Sequence, residues 1–310
     1  MRATVKEPLG SSVNISVDER KGSSSIVYFT RDLSPRGLRK IYQKVNGHMQ
    51  GKIAVKLHTG EKNGPNIIPS FWVKELVEKD IPNATIVETN TYYEGDRYTT
   101  EQHRETLKVN GWTFVPVDIM DEEGTMMWPV KGGKYFKEMS VGSHADRYDS
   151  LLVLTHFKGH VMGGFGGSNK NIGIGMADGR IGKAMIHTHQ GQGQWSIAMD
   201  EFMERMTEST KATLDHFKKN ITFINVLRNM SVSCDCEGLA AEPVVTPDIG
   251  ILASDDILAL DQASIDMVYN LGNKSKELRE RIESRHGLRQ LSYMKELGMG
   301  NDKYEIVDLD

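Results

Sequence analysis

SLLVLTHFKGHVMGGFGGSNKNIGIG, residues 150–175, is the stretch on which the reading of this chain turns. Leu151 to Leu154 is a continuous apolar run, short enough to be a strand buried on both faces. His156, Lys158 and His160 follow at intervals of two. A glycine-dense loop comes next, with Gly163, Gly164, Gly166 and Gly167, and it closes on Ser168, Asn169, Lys170 and Asn171. Glycine lets backbone approach a ligand closely and is costly where that freedom is not needed. Open α/β sheets bind ligands beyond the carboxyl ends of their strands. The stretch therefore reads as a central strand running into a ligand site.

Upstream, the same rhythm repeats. Strands are expected at 26–29, 52–57, 84–88 and 113–117. Between them lie helices at 35–45 (Ser34 as cap, Pro35 at the first position), 70–79 (Ser70 as cap) and 101–110 (Thr100 as cap, Gly111 as stop). Strand, polar loop and helix in alternation predict βαβ units and a parallel sheet. Residues 121–141, with Gly132-Gly133, break the rhythm and predict a β-hairpin excursion. Downstream, 195–217 has helical apolar spacing and 221–232 and 249–253 read as strands. A helix starts near Ser254 or Asp255 and runs to 270, two more lie near 274–284 and 287–297, and a last strand falls at 302–308. The expected fold is one α/β domain over 25–310: a mainly parallel sheet flanked by helices, a hairpin excursion and an elaborated helical C-terminal part. Residues 1–24 are polar, serine-rich and aperiodic, and are expected to form a flexible tail.

Composition narrows the function classes. The 310 residues carry a net charge of −4, with 38% hydrophobic and 26% charged residues. No global basic field draws the chain to nucleic acid or to anionic lipid. No apolar run approaches the roughly 18 residues of a membrane span, and the N-terminus has no secretory h-region. The only cysteines are Cys234 and Cys236, so no disulfide framework is expected, and a bridge between the two would close a strained ring. A reducing cytoplasmic setting fits.

Three polar clusters follow strands of the expected sheet: Lys56, His58 and Thr59; Glu88 and Asn90; and His156, Lys158 and His160. Parallel strands would bring them to one edge. The candidate catalytic set is His58, Glu88, His156, Lys158 and His160. Imidazoles move protons near neutral pH, and Glu88 would orient or act as base. Lys56, Thr59, Asn90, Ser168, Asn169, Lys170 and Asn171 are the candidate ligand-binding residues, with lysines and loop N–H groups suited to a small anionic molecule. GGFGGSNK is no P-loop and Gly173-x-Gly175 no dinucleotide fingerprint, so no nucleotide motif is present. Cys234, Cys236, His187 and His189 offer two thiolates and two imidazoles, a donor set for one iron or zinc ion.

Several longer motifs stand together: AVKLHTGEKNGPNIIP at 54–69, IVETNTYYEGDRYTTEQH at 86–103, LTHFKGHVMGGFGGSNKNIGIG at 154–175, and CDCEG at 234–238 followed by PDIGILASDDILALDQASIDMVYN at 247–270. In these the chain resembles the domain of unknown function 362 family, a large uncharacterised iron–sulfur-centre family, over about 26–310. The resemblance implies the α/β core, the His156/Lys158/His160 loop and the Cys234-Asp235-Cys236 triplet as shared features. Typical relatives carry a cysteine-rich ferredoxin-like insertion after the region matching 173–182. Here that place holds RIGKAMIHTHQGQGQW, so the complete four-cysteine set of a [4Fe–4S] cluster is missing. The expected function is an enzyme acting on a small anionic substrate at a Lys/His/Gly-rich site, with one bound metal as an option. The alternatives are a redox or metal-handling protein that exchanges electrons with a separate ferredoxin, and a non-catalytic small-ligand module.

Overall fold

The computed structural model describes residues 24–189 and 192–310, together with two short strands near the N-terminus, β1 (Ala3–Lys6) and β2 (Ser12–Ile15), which pair antiparallel. The rest of the expected 1–24 tail lies outside the described residues. In chain order there follow β3 (Ser25–Thr30), α1 (Pro35–Val45), β4 (Ile53–Lys56), α2 (Ser70–Asp80), β5 (Thr85–Glu88), α3 (Thr100–Val109) and β6 (Val117–Ile119). The hairpin β7 (Thr125–Pro129) and β8 (Glu138–Gly142) occupies the place where the rhythm breaks. After it come β9 (Ser150–His156), the small hairpin β10 (Lys158–His160) and β11 (Gly164–Gly166), then α4 (Ser168–Gly175), α5 (Gly182–His187) and α6 (Met199–Phe217). The chain ends with β12 (Ile221–Leu227), β13 (Gly250–Ser254), α7 (Ile257–Asn270), α8 (Lys276–Ser284), α9 (Arg289–Glu296) and β14 (Tyr304–Asp308).

Eight strands form one sheet in the order β14-β3-β13-β12-β9-β4-β5-β6. Strand β13 is antiparallel to both its neighbours, and every other pair is parallel. The carboxyl ends of β12, β9, β4 and β5 therefore meet at one edge. All seven residues of β9 are buried, because helices cover both faces. Leu152 and Leu154 face α1 and α2 through Leu38, Ile41, Trp72 and Leu76. Leu151 and Val153 face the opposite way, into a core with Ile172 of α4, Met203 and Met206 of α6, and Leu260 of α7. That alternation is the period of two of a pleated strand. No helix among the described residues is long and apolar enough to cross a membrane.

Helix starts follow local chemistry, with shifts of one or two residues from expectation. The Ser34 hydroxyl accepts from Gly37 N at 3.2 Å and caps α1 as anticipated. For α3 the cap is Thr99, not Thr100: Thr99 Oγ1 accepts from Gln102 N at 3.2 Å, and Gln102 Oε1 accepts from Thr99 N at 3.1 Å, a reciprocal capping box. Ser70 is the first residue of α2 and makes no capping bond. Asp256, one position beyond the expected residues, caps α7 by accepting from Ala259 N at 3.0 Å. The strand expected at 113–117 starts only at Val117.

The glycine stretch folds as a tight hairpin and then a helix, and that helix went unread in the sequence. Its cap is supplied from another element. Asp261 of α7 accepts from Ser168 N at 2.8 Å, from Asn169 N at 2.9 Å and from Asn225 Nδ2 at 2.8 Å. A Cβ at residue 167 would stand 2.6 Å from Asp261 Oδ1, so only glycine lets the carboxylate reach the helix end. The Asp261→Ala variant leaves the Ser168 and Asn169 N–H groups without an acceptor, at roughly 1–3 kcal/mol each before relaxation, and Asn225 Nδ2 keeps only its bond to Ser264 Oγ. The expected outcome is a melting temperature lower by about 5–10 °C, with Asp261→Asn between it and wild type. An unchanged melt by circular dichroism would show that α4 does not depend on this carboxylate.

Candidate functional site

At the carboxyl edge of β4, β5 and β9 lies a cavity of about 200 Å³. A dry cavity of about 150 Å³ is large enough for benzene, so this one admits a substituted ring or a molecule of similar size. Its wall combines cations, imidazoles and one cysteine with apolar and aromatic side chains. Of the residues expected to act, Lys56, His58, Glu88, His156, Lys158, His160, Lys170 and Asn171 line it.

The floor is a buried ion pair. Lys56 Nζ donates to Glu88 Oε2 at 2.8 Å and to Asn171 Oδ1 at 3.2 Å. Thr59 closes the other oxygen of Glu88, its N at 3.0 Å and its Oγ1 at 3.1 Å. Arg97 Nη1 lies 3.7 Å from the same carboxylate. Burial works against the Glu88 charge, but Lys56 and Arg97 outweigh it and hold the carboxyl well below the usual carboxylate range. Glu88 is thus an anchored anion, a poor proton acceptor. The Lys56 side chain passes over Gly175, where a Cβ would stand 2.2 Å from its Cε. Arg97 itself is clamped by Glu61, with Nε at 3.0 Å and Nη2 at 2.8 Å from Oε1.

Asp235 is a second buried hub. His156 Nδ1 stands 2.9 Å from both its oxygens, and Lys158 Nζ is 2.9 Å from Oδ2. His156 Nε2 lies 2.7 Å from the Arg228 carbonyl oxygen. Both ring nitrogens thus face acceptors, which occupies the ring in holding Asp235 in place. Burial opposes the Asp235 charge, and His156 and Lys158 together drive its pKa well below the normal range.

Cys234, Cys236 and His160 present ligand-type atoms within 4.8 Å of one another. His160 Nδ1 accepts from Gly163 N at 2.8 Å and Met162 N at 3.2 Å. With that lone pair occupied, a neutral ring carries its proton on Nε2, and the ring hydrogen-bonds Cys234. Burial, then Lys170, lowers the His160 pKa to about 4 and keeps the ring neutral. His58 Nδ1 likewise accepts from Gly60 N at 2.9 Å, but its Nε2 faces Arg97 Nη2 at 3.5 Å. The Cys236 thiol bond, with Lys170 and His160, holds the Cys234 pKa well below that of a free thiol. Its bond to Cys234, then burial, pushes Cys236 up. The two sulfurs are thus shifted in opposite directions. The donor set does not fit a metal ion, because a metal-bound imidazole keeps its proton on the nitrogen away from the ion, and here that nitrogen accepts.

The other expected residues are distributed differently. His187 and His189 stand apart from the cysteine group. His187 ends α5, donates Nδ1–H to Lys183 O at 2.7 Å and lines the far cavity wall; burial lowers its pKa to about 3. His189 is part-exposed, with Nε2 3.3 Å from Glu201. The helix end turns these two rings into different surroundings, where an extended strand would have put them on one side. Ser168 and Asn169 lie beneath the cavity, bonded to Asn225 at 2.8 Å and to Thr207 and Gln290 at 3.0 and 3.1 Å. Thr59 is buried on Glu88, and Asn90 donates to Thr100 Oγ1 at 3.0 Å.

Four wall residues went unread. Arg97 lies in the loop after β5, within GDRY, and only its place after a strand hints at it. Lys183 sits in the mixed run IGKAMIH and resembles an ordinary helical lysine. Its Nζ donates to Thr89 Oγ1 at 2.7 Å and to the Asn90 carbonyl, and it meets no carboxylate there. Tyr92 and Trp195 form an aromatic mouth, ring centres 5.4 Å apart, with His187 at 6.0 and 4.9 Å from them.

Comparison with solved structures gives distant likenesses. The lactate racemase apoprotein of Thermoanaerobacterium thermosaccharolyticum aligns over 87% of this chain and 62% of its own, at 11% identity and a TM-score of 0.44. A crystal structure of a Thermotoga maritima protein aligns over 62% of this chain and 49% of its own, at 12% identity and a TM-score of 0.37. This chain thus spans less than two thirds of either. No curated protein sequence matches it. Residues 53–266, well over half of the chain and a shorter span than the expected 26–310, match the family described as domain of unknown function (DUF362), and the chain belongs to that family.

Proposed function

We propose that this chain is an enzyme whose cavity takes a small anion carrying an aromatic or apolar body. The observation that carries the reading is the state of two cavity cations. Lys170 makes no hydrogen bond or ion pair to another described residue, and Lys183 is held only by a hydroxyl and a carbonyl. The other cations are matched: Lys56 by Glu88, Arg97 by Glu61 and Lys158 by Asp235. Against the five cations of the wall stand three carboxylates and the charge of the cysteine pair. A surplus positive charge remains in a low-dielectric space, where an anion is the natural complement.

Roles then follow from what each group has free. Lys170 and Lys183 hold the anion. Tyr92, Trp195, Met162 and Ile174 cover its apolar part. Glu88, His156 and Lys158 are positioning residues, since the polar atoms of Glu88 are spent on Lys56, Thr59 and Arg97, and those of His156 and Lys158 on Asp235. Proton movement falls to the sulfur pair with His160 and His58. Of the expected ligands of a one-ion iron or zinc centre, Cys234 and Cys236 stand together with His160, and His187 and His189 lie outside that group.

Thermal melts test the binding step. Benzoate and phenyl phosphate are expected to raise the melting temperature by about 5 °C at a hundredfold excess over Kd, while neutral benzyl alcohol leaves it unchanged. The shift should vanish in Lys170→Ala/Lys183→Met. Equal shifts from the neutral compound would remove the anion from the reading. The pH profile adds a second check. Burial lowers the Lys183 pKa to about 8. Its charge is therefore present below about pH 8 and lost above it, so anion affinity by titration calorimetry should fall as pH rises through 8. In Lys183→Met that fall should disappear.

A further inference from the structure

The Cys234-Asp235-Cys236 turn is more elaborately built than a loop of small buried side chains needs. Glu237 accepts from Cys234 N at 2.9 Å and from the Ser233 hydroxyl at 2.8 Å. Asp235 is clamped by His156 and Lys158 at 2.9 Å. Cys236 N donates to Cys234 Sγ at 3.4 Å. The backbone between the two sulfurs is therefore fixed from both sides. Exposure is unequal: Cys234 is 1% exposed, while Cys236 lines the cavity.

We propose that Cys236 and Cys234 form a two-electron dithiol–disulfide couple that reduces a small anionic disulfide in the cavity, with Cys236 making the first bond and Cys234 closing the ring. The preference for an anionic substrate rests on the anion-binding reading above. The dithiol chemistry rests on the sulfur geometry alone.

Both sulfurs lie within 4.8 Å of each other and of a His160 nitrogen, so a ring closes without a large backbone movement. The sulfur facing the cavity is the one an incoming reagent meets. The sulfur behind it accepts from Cys236 N at 3.4 Å and has a His160 nitrogen within 4.8 Å. Those groups stabilise a thiolate, which is the reactive form in exchange.

The step balances. Cys236 passes its proton to the Cys234 thiolate as its sulfur bonds to one sulfur of the substrate. The substrate S–S bond breaks, and its first half leaves as a thiolate that takes the proton back from Cys234. Cys234 then attacks Cys236, the mixed disulfide breaks, and the second half leaves as a thiolate. The protein has lost two electrons and one proton, and the substrate has become one thiol and one thiolate. A ring of only three residues is strained, and strained disulfides are the readily reduced ones. Strain thus suits a couple that must reopen, where it would disqualify a permanent staple.

Dithionitrobenzoate, an aromatic carboxylate disulfide, tests this on the full chain, reduced and desalted without oxygen. Two thionitrobenzoates should be released per protein, with no adduct retained and the protein mass lower by two hydrogens. Cys234→Ser should release one and keep a stable adduct; Cys236→Ser should react only slowly. Two retained adducts on the wild type, no reaction, or stoichiometric zinc that blocks the reaction would each overturn the couple. Lys170→Ala should slow the release about tenfold, while leaving reaction with neutral hydroxyethyl disulfide unchanged. If ring closure occurs equally fast with both reagents and Lys170→Ala alters neither, the couple stands and the anion reading fails. Melting curves of each variant separate lost chemistry from lost fold.

Discussion

Two carboxylates buried beneath the cavity, Glu88 and Asp235, set the terms for everything around them. A buried charge is costly unless it is paired and fully hydrogen-bonded. Each is therefore surrounded: Glu88 by Lys56, Thr59 and Arg97, Asp235 by His156 and Lys158. The partners come from distant parts of the chain. Lys56 ends β4, Glu88 ends β5, His156 ends β9, and Asp235 follows β12. The ion pairs can form only if those four strands run the same way and end at the same edge. Removing one partner would leave a bare charge in the core, so the polar network and the sheet order support each other.

This constraint also divides the labour among similar-looking residues. His156, His160, His58 and His187 all line one cavity. His156 has an acceptor at each nitrogen, so it anchors. His160 and His58 each take a backbone N–H on Nδ1, but their surroundings differ: His160 stands beside Cys234 and Cys236, and His58 Nε2 faces Arg97. His187 gives its Nδ1 proton to a carbonyl, which leaves Nε2 as an acceptor. Which nitrogen is occupied decides what a ring can do. Residue type alone made all of them proton movers or metal ligands.

Much of the frame was legible. The apolar run at 151–154, the strand–loop–helix rhythm and the break at 121–141 are local signals, and the fold follows them. The convergence of Lys56, Glu88 and His156 was legible too, because a parallel sheet places strand ends together whatever their separation in the chain. What could not be read depends on contacts across the fold. Helix α4 is capped by Asp261 from another helix, so no cap residue precedes it in the sequence. Ser168 and Asn169, polar residues beside glycines, looked like loop ligands, yet they are core hydrogen-bonding groups under the site. Lys183 and Trp195 reach the wall from segments with no site signature.

The glycine stretch shows why a motif can point to the right place for the wrong reason. Glycines at 163–167 suggested a flexible anion nest. In the fold they serve close packing: the β10–β11 hairpin lies against the Ile282–Gly287 turn, and Gly167 admits the Asp261 carboxylate. That packing is what positions the chemistry. Hairpin β10–β11 carries Lys158 and His160 at alternate positions, so both reach the cavity, one toward Asp235 and one toward Cys234. Helix α4 then returns Lys170 and Asn171 to the same space. A rigid hairpin and a capped helix hold four polar groups in register more firmly than a mobile loop could.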